Sequence, residues 1–573
     1  MDKKATIVLC GLISILSITS CNTITNDDAR QESAPSAQSI SQPNILLIVV
    51  DDMGFADLGS FGGEIPTPNL DELAYAGVRL TNFITAPACS PTRAMLLTGV
   101  DNHLAGLGNL AEELAPNQKD KPGYEGYLNH RVVTVPTLLQ DAGYRTYMTG
   151  KWHLGASEET GPANRGFDRS FGMLTNASHF SDMQPAYSPN PDARAKYRED
   201  NRLLSELPGS FEYSSQFFVD RLIDYIENDE DKRGTKPFFA FLAFSAPHWP
   251  LQAPDKTIAE FQGKYDQGHD VIATARLAKQ KKLGIVPGSA TLGELSPKGK
   301  PWVDLSELEQ AFEARSMEVY AAMIAEIDRH TGRLIKYLKD ANQFENTVII
   351  FMSDNGAEGH DFDDTWPEAA FPLIRKNLLN KHDFSFENIG QENSYTFYGP
   401  NWARASSPAF RMFKGFTTEG GVRAAAFMHY PGIIAAGIES NTILVKDVAA
   451  TMLEIANVKH PGTHYRARNI EPMTGSSILA LLTGNDTDMV SPLRIQVDEL
   501  LGKRSVRMGN WKMVHMPVPW GTGAWQLYNL AEDLAETTDL AQEMPDKINE
   551  LTKHWEQYAR TNNLVLPDWV SGY

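Results

Sequence analysis

The stretch that best indicates the fold is residues 44–50, N-I-L-L-I-V-V, which runs directly into Asp51 and Asp52. An unbroken apolar run rich in β-branched residues is typical of a strand that is buried on both faces of a parallel sheet. Comparable runs occupy residues 144–149, 237–245 and 347–352. The chain is therefore expected to contain a mostly parallel sheet with residues 44–50 inside it.

Helical patterns precede the other three runs, at residues 134–142, 215–228 and 318–341. Alternating strands and helices predict an α/β fold with a large, mostly parallel sheet flanked by helices, and such sheets bind ligands at the carboxyl ends of their strands. Each of the four runs is followed by polar side chains that could reach one crevice. These are Asp51, Asp52, Lys151, His153, His248, Asp354 and Asn355.

The sequence pattern changes near residue 493, from long apolar runs to short ones. Short runs at 505–507, 511–514 and 525–528 are separated by Gly and Pro turns, which predicts a small antiparallel sheet, and a helical pattern covers 545–560. We expect a main domain over residues 43–490 and a smaller C-terminal α+β domain over 491–573. Residues 250–310 and 360–400 are polar, and we expect them to be irregular insertions around the mouth of a site.

The N-terminus has the pattern of a targeting segment. Two lysines precede an apolar run at 5–16, and the run ends I-T-S-C at 18–21, which resembles the lipobox of bacterial lipoproteins. We expect residues 1–20 to be a signal peptide, Cys21 to be lipidated and residues 21–42 to be a flexible tether. The protein would then be exported and anchored in the periplasm or at the cell surface, with the lipid as its only membrane contact. A plain secretory signal cut slightly later is the alternative.

Composition and charge narrow the class of protein further. The chain has 573 residues, is 42% hydrophobic and carries a formal net charge of −20, which argues against nucleic acid as a partner. A small anionic substrate remains possible if cations gather locally. Of the three cysteines, at 10, 21 and 89, only Cys89 stays unaccounted for in the mature chain. A lone thiol in an oxidising compartment calls for a function.

The sequence around Cys89 reads C-S-P-T-R-A-M-L-L-T-G at residues 89–99. Ser90 suits an N-cap and Pro91 the first helical position, so Cys89 is expected at a helix N-terminus, where anions and thiolates are favoured. From these residues alone, Cys89 could be a nucleophile or a buried structural cysteine.

C-S-P-T-R resembles the sulfatase signature C-x-P-x-R, and G-K-W-H-L-G at residues 150–155 matches the other hallmark of that family. From about residue 43 to at least 555 the chain looks like bacterial arylsulfatases of the alkaline phosphatase superfamily. The resemblance implies hydrolysis of small sulfate monoesters, aryl sulfates above all, to an alcohol or phenol and inorganic sulfate. It also implies that a maturation enzyme oxidises Cys89 to formylglycine (3-oxoalanine), whose hydrate offers one hydroxyl for attack and a second that later expels sulfate.

By the same resemblance, Asp51, Asp52, Asp354 and Asn355 are metal ligands, completed by an oxygen of the modified Cys89. Hard oxygen donors favour Ca²⁺, with Mg²⁺ the second choice. Taken singly, D-D and D-N-G are also common turns and helix caps. The family pattern further assigns Asp354 as the base for the attack.

The remaining catalytic roles also follow from the resemblance. Arg93 and Lys151 would hold the aldehyde hydrate, and His153 would take the proton that starts sulfate release. His248, in S-A-P-H-W-P, and Lys414, in F-K-G-F, would bind the sulfate and assist the leaving oxygen. Other polar residues are expected to have structural roles in loops and turns. These are His103, His130, His179, His360, His382, Glu419 and Arg423.

Two other functions remain open from the sequence. Phosphodiesterases and phosphonate hydrolases of the same superfamily use related sites, so a phosphoryl ester is a rival substrate. A lipoprotein that captures sulfated glycans without hydrolysing them, with Cys89 left unmodified, is a rival from a different class.

Overall fold

The computed structural model describes residues 42–185, 188, 190–228, 236–361, 371–484 and 493–569. The predicted signal peptide, Cys21, nearly all of the tether and the predicted domain boundary at 490 and 491 lie outside the described residues. From Gln42 onward the chain forms one compact unit, and the division into two domains stays a prediction. None of the described helices has the length and apolar character needed to cross a bilayer.

The strands alternate with helices along most of the chain, as the sequence predicts. The strands are β1 (Asn44–Val50), β2 (Val78–Leu80), β3 (Phe83–Ile84), β4 (Arg145–Lys151), β5 (Arg169–Met173), β6 (Tyr197–Glu199), β7 (Arg202–Leu203), β8 (Phe238–Ala243), β9 (Thr347–Ser353), β10 (Ala426–His429), β11 (Gly437–Glu439), β12 (Ile443–Leu444), β13 (His464–Tyr465), β14 (Arg468–Asn469), β15 (Ile495–Leu500), β16 (Lys503–Met508), β17 (Trp511–His515) and β18 (Trp525–Asn529). The helices are α1 (Pro68–Ala76), α2 (Cys89–Thr98), α3 (Asn102–Ala105), α4 (Val135–Asp141), α5 (Ser214–Glu227), α6 (Asp255–Ala259), α7 (His269–Leu283), α8 (Glu307–Asp340), α9 (Phe371–Lys381), α10 (Gly399–Ser406), α11 (Glu419–Val422), α12 (Val445–Ile455), α13 (Leu479–Leu482) and α14 (Pro545–Thr561).

A ten-stranded sheet forms the centre of the fold, in the order β11-β2-β10-β9-β1-β8-β4-β5-β6-β7. The central strands β9, β1, β8, β4 and β5 are parallel, while β10 and β6 run antiparallel to their neighbours. Leu47 in β1 lies opposite Ile350 on one side and Phe241 on the other. The predicted α/β fold is confirmed, and the strands that end in the predicted site residues are neighbours.

Both faces of this sheet are covered, which explains the unbroken apolar runs. Alternate residues of β1 belong to two different apolar clusters: Leu46, Ile48 and Val50 pack on one face. Ile45 and Leu47 pack on the other. Because the side chains of a strand alternate between faces, a strand covered on both sides must be apolar at every position.

The prediction of irregular insertions at 250–310 and 360–400 was wrong in part, since these segments contain α6, α7, α9 and the starts of α8 and α10. Helix α8 begins at Glu307, eleven residues before the predicted start at 318. In α7 the buried face includes Arg276 and Gln280, and Arg276 donates to Asp57 and Glu64. Paired buried charges replace apolar residues there, so the periodicity that marks a helix was lost.

The predicted C-terminal sheet is confirmed as the antiparallel sheet β15-β16-β17-β18, with α14 packed on it. A buried ion-pair cluster joins this sheet to the central one. Glu419, at the start of α11, pairs with Arg423 and with Arg507 and Lys512 of the small sheet. Glu419 and Arg423 therefore connect the two sheets, and do more than shape the turn after Lys414.

Candidate active site

Four predicted site residues meet at the carboxyl ends of β1 and β9 and at the N-terminus of α2. Ligand atoms of Asp51, Asp52, Cys89 and Asp354 all lie within 4.8 Å of one another, and all four side chains are buried. The topology explains this convergence, because β1 lies between β9 and β8 and all three strands point the same way.

Cys89 is the first residue of α2, which begins two positions earlier than predicted, with Ala88 as the N-cap in an extended conformation. Its Sγ lies 3.5 Å from Asp52 Oδ1. Burial and the charge of Asp51 raise the pKa of the Cys89 thiol well above its ordinary value. Burial, with the charge of Asp51 added to it, thus disfavours the thiolate, and an unmodified cysteine at this position is a poor nucleophile.

The donor set fits a hard divalent cation. Asp51 Oδ1 and Asn355 Oδ1 are buried and have no hydrogen-bond partner among the described residues. Burial, only partly offset by Lys414, raises the pKa of Asp52 to about 7, and the neighbouring Asp51 adds to the rise. A cation held by oxygen atoms of Asp51, Asp52, Asp354 and Asn355 would satisfy these groups and relieve the repulsion between the carboxylates.

Arg93 and Lys151 line one side of the cluster. Arg93 donates from Nε to Asp354 Oδ2 at 2.9 Å and from Nη1 to the carbonyl of Lys151 at 2.8 Å. Lys151 Nζ lies 2.6 Å from Asp51 Oδ2. Burial alone raises the pKa of Asp51, but Lys151, His248 and Arg93 outweigh it and hold that pKa below its ordinary value. Both cations are thus fixed by the carboxylates that surround Cys89, and their role in holding an aldehyde hydrate stays a prediction.

Lys414 and His248 line the opposite side. Lys414 Nζ donates to Asp52 Oδ2 at 2.9 Å, and His248 Nε2 lies 3.5 Å from the same oxygen. Lys414 Nζ also lies 2.9 Å from Glu358 Oε2, a contact that the sequence analysis missed. Burial opposes ionisation of Glu358, yet Lys414 and His360 hold its pKa well below the ordinary value. Glu358 follows the end of β9 by five residues. This closeness to a strand end is the one feature of the sequence from which Glu358 could have been identified.

His153 also contacts a side chain that the sequence analysis did not identify, Glu112. Its Nε2 lies 3.0 Å from Glu112 Oε1, on the short turn Ala111–Glu113, and its Nδ1 is buried without a hydrogen-bond partner among the described residues. His153 has a backbone φ of +56°, a left-handed conformation that is uncommon for a residue other than glycine. Burial opposes ionisation of Glu112, but the charges of His153 and Lys151 lower its pKa to about 2. No motif marks Glu112 in the sequence.

The other histidines have structural contacts, as expected. His179 accepts or donates at Nδ1 with Ser214 and donates from Nε2 to the carbonyl of His248 at 2.9 Å, so it supports the loop that carries His248. His103 lies between Asp101 and Glu499. His130 contacts Arg165 and His382 contacts Tyr395. His360 contacts Glu358, the carboxylate that pairs with Lys414, so it borders the site.

Comparison with known proteins gives one consistent result. The family model described as "Sulfatase" matches residues 43–458. An uncharacterized sulfatase of Schizosaccharomyces pombe is 42% identical over 541 residues, which is 92% of this chain and 95% of the relative. An arylsulfatase of Klebsiella aerogenes is 37% identical over 446 residues, or 77% and 92% of the two chains. The crystal structure of the sulfatase PsFucS1 from Pseudoalteromonas sp. has the same fold, with a TM-score of 0.58 and 22% identity over 91% of this chain and 90% of that one.

Proposed function

Because the chain belongs to the sulfatase family and is a sulfuric ester hydrolase, we propose that it hydrolyses aryl sulfates to a phenol and sulfate. We further propose formylglycine made from Cys89 by a maturation enzyme as the nucleophile, and Ca²⁺ as the cation. The observation that carries the proposal is a buried cluster of Cys89 and three aspartates, whose ligand atoms lie within 4.8 Å of one another. The arylsulfatase relative supports the aryl substrate.

A modified side chain and a bound cation would supply part of the chemistry. A formylglycine at position 89 would provide a hydrated aldehyde, and a cation on Asp51, Asp52, Asp354 and Asn355 would polarise a sulfate oxygen. Three carboxylates in one buried cluster suit Ca²⁺, whereas Mg²⁺ usually keeps several waters and binds only one or two carboxylates, which is the reason for the choice of ion.

The residues of this chain hold and orient the reacting groups. Arg93 is fixed by Asp354 and by the carbonyl of Lys151, so its guanidinium and the Lys151 ammonium present two positive charges beside position 89. Asp354 accepts from Arg93 at Oδ2 and from the backbone N–H of Asp52 at Oδ1, so its carboxylate is held in place to take the proton of the attacking hydroxyl. Charges that are positioned before the reaction stabilise the transition state without reorganisation.

Sulfate binding and release fall to the other side of the site. Lys414 and His248, which face Asp52 Oδ2, would bind the sulfate oxygens and stabilise the departing oxygen. His153 is held through Nε2 by Glu112, and its Nδ1 has no hydrogen-bond partner within the described part of the chain, so Nδ1 is the atom that can accept the proton that starts sulfate release.

Matched substrates test the choice of ester. We expect kcat/KM for 4-nitrophenyl sulfate to exceed that for 4-nitrophenyl phosphate, because the three buried carboxylates repel the second negative charge of a phosphate monoester. A 4-nitrophenyl phosphonate carries a single negative charge, as the sulfate does, so it compares sulfur with phosphorus at equal charge, and we expect the sulfate to give the higher kcat/KM here as well. Cys89→Ala controls for contaminating activity. A higher kcat/KM for either phosphoryl ester would replace the sulfatase proposal with the phosphoryl-transfer rival.

The lipid anchor is part of the proposal as well. We propose that Cys21 is acylated and holds the protein at a membrane facing the periplasm or the cell exterior. Full-length protein should enter the membrane fraction, and Cys21→Ser should release it. Release of the unchanged protein by salt alone would contradict covalent anchoring.

A further inference from the structure

We propose that Asp57 is a positioning residue for the cation site, because it holds the turn at residues 51–54 that carries two of the proposed ligands, Asp51 and Asp52. The inference rests on the proposed function and deepens it, since it names a side chain outside the ligand set on which the affinity for the cation depends. Asp57 lies in the loop after β1, and its side chain is buried.

The turn at residues 51–54 has a conformation that depends on its surroundings. Asp52 has a backbone φ of +68°, in the left-handed region that is uncommon for residues other than glycine. The N–H of Asp52 donates to Oδ1 of Asp354 at 3.2 Å, so this conformation brings two proposed ligands together. A residue in this region costs folding free energy and persists only where neighbouring groups over-determine its conformation. The turn therefore relies on contacts from other segments.

Asp57 makes such a contact two residues after Asp52. Its Oδ2 accepts from the backbone N–H of Gly54 at 2.8 Å, and the N–H of Asp57 donates to the carbonyl of Gly54 at 3.3 Å. Tyr320 in α8 donates from its hydroxyl to the same Oδ2 at 2.7 Å. On its other side Gly54 packs against α10, where an added Cβ would lie only 2.4 Å from Cβ of Ser406. The end of the turn is thus fixed between Asp57 and α10.

The second oxygen of Asp57 is held by Arg276 of α7. Arg276 Nη1 donates to Asp57 Oδ1 at 2.6 Å and to the carbonyl of Ala405 at 3.2 Å. Its Nε and Nη2 donate to the two oxygens of Glu64 at 2.7 and 2.8 Å, which fixes the plane of the guanidinium. Because both oxygens of Asp57 have fixed donors, the carboxylate is held in one orientation. A buried carboxylate also needs a cation beside it, and Arg276 supplies that charge.

Loss of this carboxylate should weaken cation binding although no ligand is removed. Once Gly54 is released, residue 52 can leave the left-handed conformation, which would turn its carboxylate away from Asp51 and Asp354. The cation then binds only the fraction of molecules that keep the original turn, and the apparent dissociation constant rises as that fraction falls. If the strain of one left-handed residue is relieved, the rise is about fivefold to 100-fold.

The affinity for Ca²⁺ tests the role of Asp57. Purified protein is dialysed against a chelator and titrated with Ca²⁺ in an isothermal calorimeter, and Asp57→Asn should show a dissociation constant about fivefold to 100-fold above that of the wild type. Asparagine keeps the size of the side chain, but its amide group faces either Arg276 or Gly54, both of which are donors, so one contact is lost. Because every proposed ligand remains, saturating Ca²⁺ should restore most of kcat for 4-nitrophenyl sulfate, which it would not do for a merely misfolded variant.

Asp328→Asn is the matched control. Asp328 in α8 is also a buried carboxylate, and it accepts from the backbone N–H of Leu70 at 2.8 Å and from Asn69 Nδ2 at 2.7 Å. These partners include none of the proposed site residues. The control variant should therefore have a lower Tm than the wild type but the same dissociation constant for Ca²⁺.

An unchanged dissociation constant in folded Asp57→Asn, or an equal rise in Asp328→Asn, would overturn the positioning role and leave the sulfatase proposal intact. A wild type that binds no Ca²⁺ would overturn the proposed cation itself, and this inference with it. If Asp57→Asn does not fold, Tyr320→Phe is the second variant, since it removes the hydroxyl that donates to Asp57 and keeps the ring that stacks on Tyr398. Tyr320→Phe should raise the dissociation constant in the same direction, and an unchanged value would again overturn the proposal.

Discussion

Glu112→Gln is the most informative substitution near the site, since Glu112 contacts a proposed catalytic residue but is not buried with the metal-binding carboxylates. Glu112 Oε1 lies 3.0 Å from His153 Nε2, and its side chain is 23% exposed. The carboxylate would stabilise the positive charge that His153 gains when it takes a proton. Two unit charges about 4 Å apart attract each other by about 1 kcal/mol in water and about 4 kcal/mol near a protein surface. A middle value of about 2 kcal/mol is a rate factor of about 30.

The effect should appear in one step of the reaction. If His153 acts in sulfate release, kcat for 4-nitrophenyl sulfate should fall about 30-fold, KM should fall with it, and kcat/KM should change little. Stopped-flow measurement should then show a burst of 4-nitrophenol that the wild type shows less strongly.

The control is Glu125→Gln, because Glu125 pairs with Arg131 at 3.3 Å and its side chain is 24% exposed, which matches Glu112. This variant should keep the wild-type kinetics. Equal losses in kcat and kcat/KM for Glu112→Gln, or no loss at all, would refute the assignment of His153 and Glu112 to sulfate release.

Three further predictions concern stability and the cation. Burial lowers the pKa of His103, but Asp101 and Glu499 outweigh burial and raise it from 6.5 to about 9. The protonated His103 should therefore add about 3 kcal/mol to the free energy of unfolding below pH 6.5, and this contribution should be lost as pH rises through 9. The Tm values of His103→Gln and the wild type should converge above pH 9, and a difference in Tm that stays constant with pH would contradict this. Glu419→Gln removes the carboxylate that three buried cations share, Arg507 among them. The free energy of unfolding measured in urea should fall by about 3–5 kcal/mol. A fall below about 1 kcal/mol would show that water reaches the cluster. Dialysis against a chelator should lower both Tm and activity, and Ca²⁺ should restore them at lower concentration than Mg²⁺; restoration by Mg²⁺ first would exclude the choice of calcium.

The central sheet could be predicted because its strands obey a simple rule. Residues 44–50 are buried on both faces, and the predicted bounds of β1 agree with the structure at both ends. The strand-end argument also placed Asp51, Asp354 and Lys151 near one another, since parallel neighbours end at one edge. Helix α7 could not be predicted in the same way because Arg276 and Gln280 occupy its buried face.

The site itself was predictable where a motif or a strand end marked it. Glu112 is recognised only through its partner His153, which lies 41 residues away in the chain. Glu358 lies near a strand end, but its contact with Lys414, 56 residues away, is visible only in the structure. Pairings between loops have no periodicity, so local sequence patterns carry no trace of them. The same holds for Asp57 and Arg276, whose pairing joins two segments 219 residues apart.

The mass of one peptide tests the central claim most directly. Trypsin should release residues 80–93, which contain Cys89 between Arg79 and Arg93. In protein purified from its native host, conversion of the thiol to an aldehyde should make this peptide roughly 18 Da lighter than the sequence requires. A peptide of full thiol mass in material that still releases sulfate would contradict the account, and the same mass in inactive material that binds sulfated glycans would favour capture over hydrolysis.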